Sequence, residues 1–277
     1  MGIVNASPES FSDGGLYSSV ETQVRAALEQ VAAGAALVDV GGESGVTNAA
    51  PLMPDEEIGR VVPLVRALVD EGVIVSVDTW KPAVASAVLE AGAHLINDVS
   101  GLRDVGLASV CAAHGAGLVL MHTRAEPKHK DFPPYDDVVA DVRSFLWERV
   151  EVALSNGVKR ESLVIDPGPD FAKTPAQTVT VLRHLEGLRE FGLPILAAVS
   201  RKDFVGALTG RRPKNRLAGT LAAVGYGVAH GASLLRVHDV AEVADYLTVR
   251  AALEGDAPVP EDLMLDVSLR REPTVTS

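Results

Sequence analysis

The 277-residue chain carries 37 acidic and 25 basic side chains, for a formal net charge of -12, and is 47% hydrophobic. That is enough apolar material to bury a large core in one α/β domain, and the charge excludes general binding to nucleic acid or to an anionic membrane, so an anionic ligand must be drawn by a local site. A single cysteine, Cys111, cannot form an intrachain disulfide, and the absence of a signal peptide or long apolar span places the chain in a reducing cytoplasm with no membrane partner.

Short β-branched runs alternate with longer Ala/Leu-rich stretches of helical period, the pattern of parallel βα units. The predicted strands are Gly2–Asn5, Ala36–Val40, Val73–Asp78, His94–Asp98, Gly117–His122, Ser162–Asp166, Pro194–Ser200 and Ser233–Val237. The helices predicted after them run near Val20–Ala33, Asp55–Asp70, Pro82–Ala91, Asp104–His114, Asp136–Asn156, Pro175–Phe191, Arg216–His230 and Val240–Leu253. Glycines at 34, 72, 92, 157 and 231 mark helix ends, where a left-handed cap costs glycine least. The chain begins inside a strand, so either the first strand is short or residues precede it. Eight units predict an α/β fold, a single (β/α)8 TIM barrel over residues 1–255. The Pro- and charge-rich segment 256–277 reads as a loosely ordered tail. A doubly wound sheet shares the alternation, but residues 5–15 lack the Gly-rich phosphate turn it usually carries.

In a barrel the residues just past the strands converge at one end. Asn5, Asp78, Asn97 with Asp98, Asp166, Ser200-Arg201-Lys202 and Arg236-Val237-His238 all hold such positions. Any one Asp there reads as a turn or cap residue, whereas several at equal depth suit a planar heterocycle with adjacent N–H and amino donors. Lys202, Arg236 and His238 supply the opposite charge, where barrels frequently bind phosphate. Arg201 reads equally well as a structural partner of the carboxylates. Met121 and His122 are placed on the pocket wall, Lys128-His129-Lys130 on a solvated loop face, His114 and His230 at helix ends, and Cys111 in the core. No zinc-spaced cluster and no nucleophile elbow is present.

These residues resemble the dihydropteroate synthases of folate biosynthesis. The match runs through the opening Met1 to Gly15, Asp39-Val40-Gly41-Gly42-Glu43-Ser44, Ser76-Val77-Asp78-Thr79, Ile96-Asn97-Asp98, Asp166-Pro167-Gly168, Ser200-Arg201-Lys202 and Arg236-Val237-His238, in the family's order. The resemblance implies condensation of 6-hydroxymethyl-7,8-dihydropterin pyrophosphate with p-aminobenzoate and release of pyrophosphate. It implies a pterin site of Asp78, Asn97, Met121, Asp166, Lys202 and Arg236, with Asp78, Lys202, Arg236 and His238 carrying the catalysis. Phe11, Thr47, Phe171 and Asp203 fall on the p-aminobenzoate side, Asn5 on a Mg2+ ion, and the outer helices, including Leu217–His230, on a homodimer contact. Sulfonamides are the expected inhibitors of such a site.

The pattern breaks after Ser44, where the family continues Thr-Arg-Pro-Gly and this chain has Gly45-Val46-Thr47-Asn48. Val46 stands where the arginine is expected, Glu9 replaces the usual aspartate, and Asp203 would repel a benzoate unless turned away. A pterin-binding paralogue without synthase activity is therefore a competing expectation. A pterin-dependent methyltransferase is a weaker one, disfavoured by the cationic residues and the lack of a corrinoid-binding segment.

Overall fold

The computed structural model describes residues 1–6, 19–43 and 51–270. Its strands are β1 (Gly2–Asn5), β2 (Val38–Gly41), β3 (Val75–Asp78), β4 (Leu95–Asp98), β5 (Gly117–Met121), β6 (Leu163–Asp166), β7 (Ile195–Ala197) and β8 (Ala232–Leu235). All pair in parallel in the order β1 to β8. The sheet is curled; the Met1 nitrogen donates to the Leu235 carbonyl at 2.8 Å, and the Val237 N–H donates to the Met1 carbonyl at 3.0 Å.

The helices are α1 (Val20–Ala32), α2 (Pro54–Asp70), α3 (Pro82–Glu90), α4 (Gly106–His114), α5 (Val138–Ser155), α6 (Pro175–Arg183), α7 (Asp203–Thr209), α8 (Leu217–Ala229) and α9 (Val240–Glu254). Their starts follow local chemistry. Ser19 caps α1 and Thr174 caps α6 in reciprocal boxes, Asp137 accepts two N–H groups of α5, and Pro54, Pro82 and Pro175 occupy first-turn positions that need no N–H.

Side chains alternate across each strand. Val38 and Val40, Val75 and Val77, Leu118 and Leu120, and Leu163 and Ile165 join the apolar core beneath the helices. The alternate positions Asp39, Ser76, Asp78, Asn97, Val119, Met121 and Asp166 therefore share the opposite, inner face. Parallel register aligns Asp78 with Asn97 and Met121 with Asp166, which carries the polar ends into one neighbourhood.

Three expectations need correction. The predicted helix Pro175–Phe191 is α-helical only to Arg183 and continues as a 3₁₀ segment, Leu185–Phe191, closed by Gly192 at φ 61°. The seventh strand ends at Ala197 instead of Ser200, with a register shift at Ile195/Leu196. Helix α7 was not foreseen, because seven residues are too few for a periodic signal; its first turn is anchored by Lys202 and Asp203. Residues 256–270 form an exposed, irregular segment with one 3₁₀ turn at Val267–Leu269. Among the described residues no helix is long and apolar enough to cross a membrane.

Candidate active site at the carboxyl ends of the strands

Asp39 is the centre of the polar end, although it was noticed in the sequence only as part of a motif. It is fully buried on β2 and accepts from Ser76 Oγ at 2.6 Å, Asn97 Nδ2 at 3.0 Å and Arg236 Nε at 2.6 Å. One carboxylate thus ties together β3, β4 and the segment after β8. Its strand position, three residues before the β2 loop, was the available signal, and its neighbours Val38 and Val40 masked it as part of an apolar run.

Arg236 also reaches Asp78 Oδ2 at 3.4 Å. Burial alone would lower its pKa, but Asp39 and Asp78 outweigh burial and raise it, so the guanidinium is a permanent cation. Asp78 is driven the other way. Desolvation, then repulsion from Asp39, pushes its carboxyl up to about 7 despite Arg236. Asp166, 2% exposed at the end of β6, is raised to about 6 by desolvation, against a 2.7 Å hydrogen bond from the Gly168 N–H and the pull of Lys202 and Lys173. Two carboxyls that release protons near neutrality, with buried Asn97 and Met121 beside them, form a floor that gains most from a ligand bringing its own N–H donors. Asp98 is not part of it. Its oxygens accept the Ser100 N–H at 2.7 Å and the Leu102 N–H at 2.6 Å, so it shapes the β4–α4 turn.

On the basic side, Lys202 lies 4.3 Å from the centroid of the Phe171 ring, and desolvation lowers its pKa. Arg201, at φ 57°, makes a two-pronged ion pair with Asp239, which settles its structural role. His238 was expected to add positive charge. Burial, then Arg236 and Arg201, instead lowers its pKa to about 3, so the imidazole is neutral. Its Nδ1 lies 3.0 Å from Ser200 Oγ, and that oxygen accepts the His238 N–H at 3.2 Å. In the tautomer whose Nδ1 accepts the Ser200 proton, neutral His238 carries its hydrogen on Nε2 and offers it as a donor.

His122 does not line the pocket. The strand ends at Met121, and the next residue alternates outward, fully buried, with Nε2 2.7 Å from Asp141 Oδ1 and Nδ1 2.7 Å from Lys173 Nζ. Asp141 is held in turn by Arg124 at 3.0 and 2.8 Å. In the 128–130 run His129 and Lys130 are exposed, as expected, but Lys128 is not. The Lys128 side chain is 7% exposed and lies 3.2 Å from Glu43, which shares Lys81 with Glu57 at 2.8 and 2.6 Å. Lys130 meets Asp203 at 3.0 Å, and Arg216 meets the same carboxylate at 3.3 Å. Asp203, expected to repel a benzoate, is neutralised by two cations, and Lys130 holds its pKa below the usual carboxylate value. Arg216 can sit there because position 206 is glycine: a Cβ at Gly206 would stand 2.1 Å from its Nη2.

Phe11, Thr47, Glu9, Val46 and the whole departure at 45–48 lie outside the described residues. Among those described, no group of three or more His, Cys, Asp or Glu side chains is placed to hold a metal ion. Asn5 ends β1 with its Oδ1 3.4 Å from the position that a Cβ on Gly41 would take.

Residues 1–238 match the family model described as pterin binding enzyme. Dihydropteroate synthase of Bacillus subtilis is 41% identical over 246 residues, which span 88% of this chain and 84% of that protein. The structure of Xanthomonas albilineans dihydropteroate synthase with 4-aminobenzoic acid superposes with a TM-score of 0.86 at 45% identity, over 94% of this chain and 93% of that one. The same enzyme in complex with 7,8-dihydropteroate gives a TM-score of 0.82 at 45% identity, covering 94% of each chain. On the strength of this similarity, which spans nearly the whole chain, and of the polar site gathered at the strand ends, the protein belongs to the dihydropteroate synthase family of pterin-binding enzymes.

Proposed function

We propose that this chain is a dihydropteroate synthase that joins 6-hydroxymethyl-7,8-dihydropterin pyrophosphate to p-aminobenzoate. The observation that carries the reading is the floor formed by half-buried Asp78 with buried Asn97 and Asp166, beside which stand the cations Arg236 and Lys202. The pterin edge presents amino and ring N–H donors to Asp166 and Asp78, and these paired bonds stabilise the ionised carboxylates that burial disfavours. Asn97 and Lys202 satisfy the remaining polar atoms of the ring, and Met121 covers a face.

The reaction breaks the bond between the exocyclic methylene carbon and the pyrophosphate oxygen, and that oxygen keeps the electron pair. The pterin ring delocalises the positive charge left on carbon, the aromatic amine attacks it, and the amine proton passes to pyrophosphate or water. Arg236 supplies fixed positive charge and His238 an N–H donor to the departing diphosphate. No side chain forms a bond to substrate. Asn5 offers one hard oxygen, which suits Mg2+ arriving largely coordinated by water and substrate phosphate; the ion would add charge neutralisation to the leaving group.

Phe171 belongs to the p-aminobenzoate side, the region where a sulfonamide would compete, and the family resemblance assigns Phe11 and Thr47 to the same substrate. Asp203, bound by Lys130 and Arg216, is the outer edge of that side, and its neutralisation removes one reason to prefer a silent paralogue. The Met1 contacts with Leu235 and Val237 support reading the curled sheet as one closed (β/α)8 barrel over residues 1–255, with 256–277 as its tail. A cytoplasmic homodimer through the outer helices completes the proposal. Incubation with the pterin pyrophosphate, p-aminobenzoate and Mg2+ should yield equal amounts of dihydropteroate and pyrophosphate. Tight pterin binding without product would overturn the synthase reading and leave the paralogue.

A further inference from the structure

The loop between β6 and α6 carries Phe171 but has no strand to hold it. Gly168, Asp170 and Ala172 adopt φ 65°, 65° and 52°, so the backbone reverses hand at alternate residues. Gly168 is obligatory, since a Cβ there would lie 2.1 Å from the His122 carbonyl. A path this irregular needs outside tethers, and the largest comes from a residue that the mechanism above does not use.

Lys173 is 1% exposed. Its ammonium group lies 3.0 Å from the Gly168 carbonyl, 3.0 Å from the Phe171 carbonyl, 3.3 Å from the His122 carbonyl and 2.7 Å from His122 Nδ1. Every proton is spent on the loop and on the end of β5, and none faces the site. The chain His122–Asp141–Arg124 then fixes the far side of that anchor to α5. Lesser tethers act on the same loop: Tyr135 Oη donates to the Ala172 carbonyl at 2.9 Å, Thr178 Oγ1 donates to Asp170 Oδ1 at 3.1 Å, and the Phe204 N–H donates to Asp170 Oδ2 at 3.2 Å.

We infer that Lys173 is a positioning residue for the aromatic-amine substrate, its ammonium clamping the Gly168 and Phe171 carbonyls so that the Phe171 ring stands fixed against Lys202. The inference rests on the reading of Phe171 as part of the p-aminobenzoate side. Asp166 is placed by β6 and touches the clamp only through the Gly168 N–H and the nearby Lys173 amine, whereas the Phe171 carbonyl is held by Lys173 directly, so the pterin half of the site depends on the clamp less than Phe171 does. A methionine fills most of the volume of Lys173 and removes its N–H donors, leaving the Phe171 and His122 carbonyls without this partner, while the Gly168 carbonyl keeps only the Phe171 N–H at 3.1 Å.

Lys173→Met should therefore raise KM for p-aminobenzoate about tenfold or more while kcat at saturation changes by only about threefold. The calorimetric Kd for the pterin substrate should stay within about threefold of wild type. An unchanged KM, or a pterin Kd that worsens in step with it, would overturn the assignment. Should Lys173→Met not fold, Tyr135→Phe decides: it removes only the hydroxyl tether and should raise the same KM about twofold to fourfold, and no change would overturn the clamp. Turnover by wild type is measured first, so absence of product there counts against the proposed function, not against Lys173.

Discussion

The two halves of the site are built by different physics. The proposed pterin floor stands on strands: Asp39, Asp78, Asn97, Met121 and Asp166 are placed by ladder register, and Asp39 bonds Ser76 on the adjacent strand and Asn97 two strands away. The proposed aromatic-amine side stands on a loop and a short helix: Phe171 is held through the Lys173 contact to its carbonyl, and Asp203, the first residue of α7, pairs with Lys130 and Arg216. A strand end inherits its position from the whole sheet, whereas a loop residue must be held by tethers of its own. Variation is correspondingly cheaper on the loop side, which is where this chain departs from its family.

The largest expected effect comes from breaking the floor at its centre. Asp39→Ala removes the acceptor of Ser76, Asn97 and Arg236 together and leaves a buried guanidinium against Asp78 alone, so stability should fall by about 3–5 kcal/mol and pterin binding should be lost. Denaturant titration and calorimetry check both; a loss below about 1 kcal/mol would mean that the floor does not depend on Asp39.

Asp166→Asn separates stability from function. The folded carboxyl is raised to about 6 from 3.8, so ionising it opposes folding. That cost is absent below about pH 4, grows as pH rises toward 6, and is constant above it, where it amounts to about 2–3 kcal/mol. The free Asn variant should therefore be more stable than wild type at pH 7 and equal at pH 4, yet bind pterin at least about a hundredfold more weakly. In wild type, pterin affinity should decline as pH falls through the range of about 7 to 6, because protons compete for Asp78 and Asp166. Affinity that stays flat from pH 8 to 5 would remove these carboxyls from pterin binding.

The smallest effect is expected at the rim. Lys130→Ala breaks an exposed pair with Asp203, which keeps Arg216. Stability should change by no more than about 1 kcal/mol, and KM for p-aminobenzoate should rise only about twofold. A tenfold rise would show the loop side to be as finely set as the floor.

The sequence was most legible where periodicity is strict. The eight βα units were recovered with boundaries mostly within two residues, because β-branched runs and Gly-marked helix ends are local signals. Polar residues at strand ends were legible as candidates, since their positions follow once the strands are known. Lys173 was not, because a lysine before Thr174 in a loop looks solvated until the fold encloses it. Lys128 was misread for the same reason. His238 was given a charge that only knowledge of its burial, and then of its neighbours Arg236 and Arg201, could withdraw.

Composition and periodicity determined by themselves the α/β class and the order of the elements, which rest on patterns near in sequence, and strand-end position marked Asp78, Asn97 and Asp166 as candidates for a shared site. Tertiary structure alone decided that Asp39 organises that floor, that His122 turns away from it, that His238 is neutral and that Lys173 is buried under a loop. Each of these depends on desolvation and on partners brought from distant segments, and burial changes both the charge state and the bonding duty of a side chain that reads the same in the sequence.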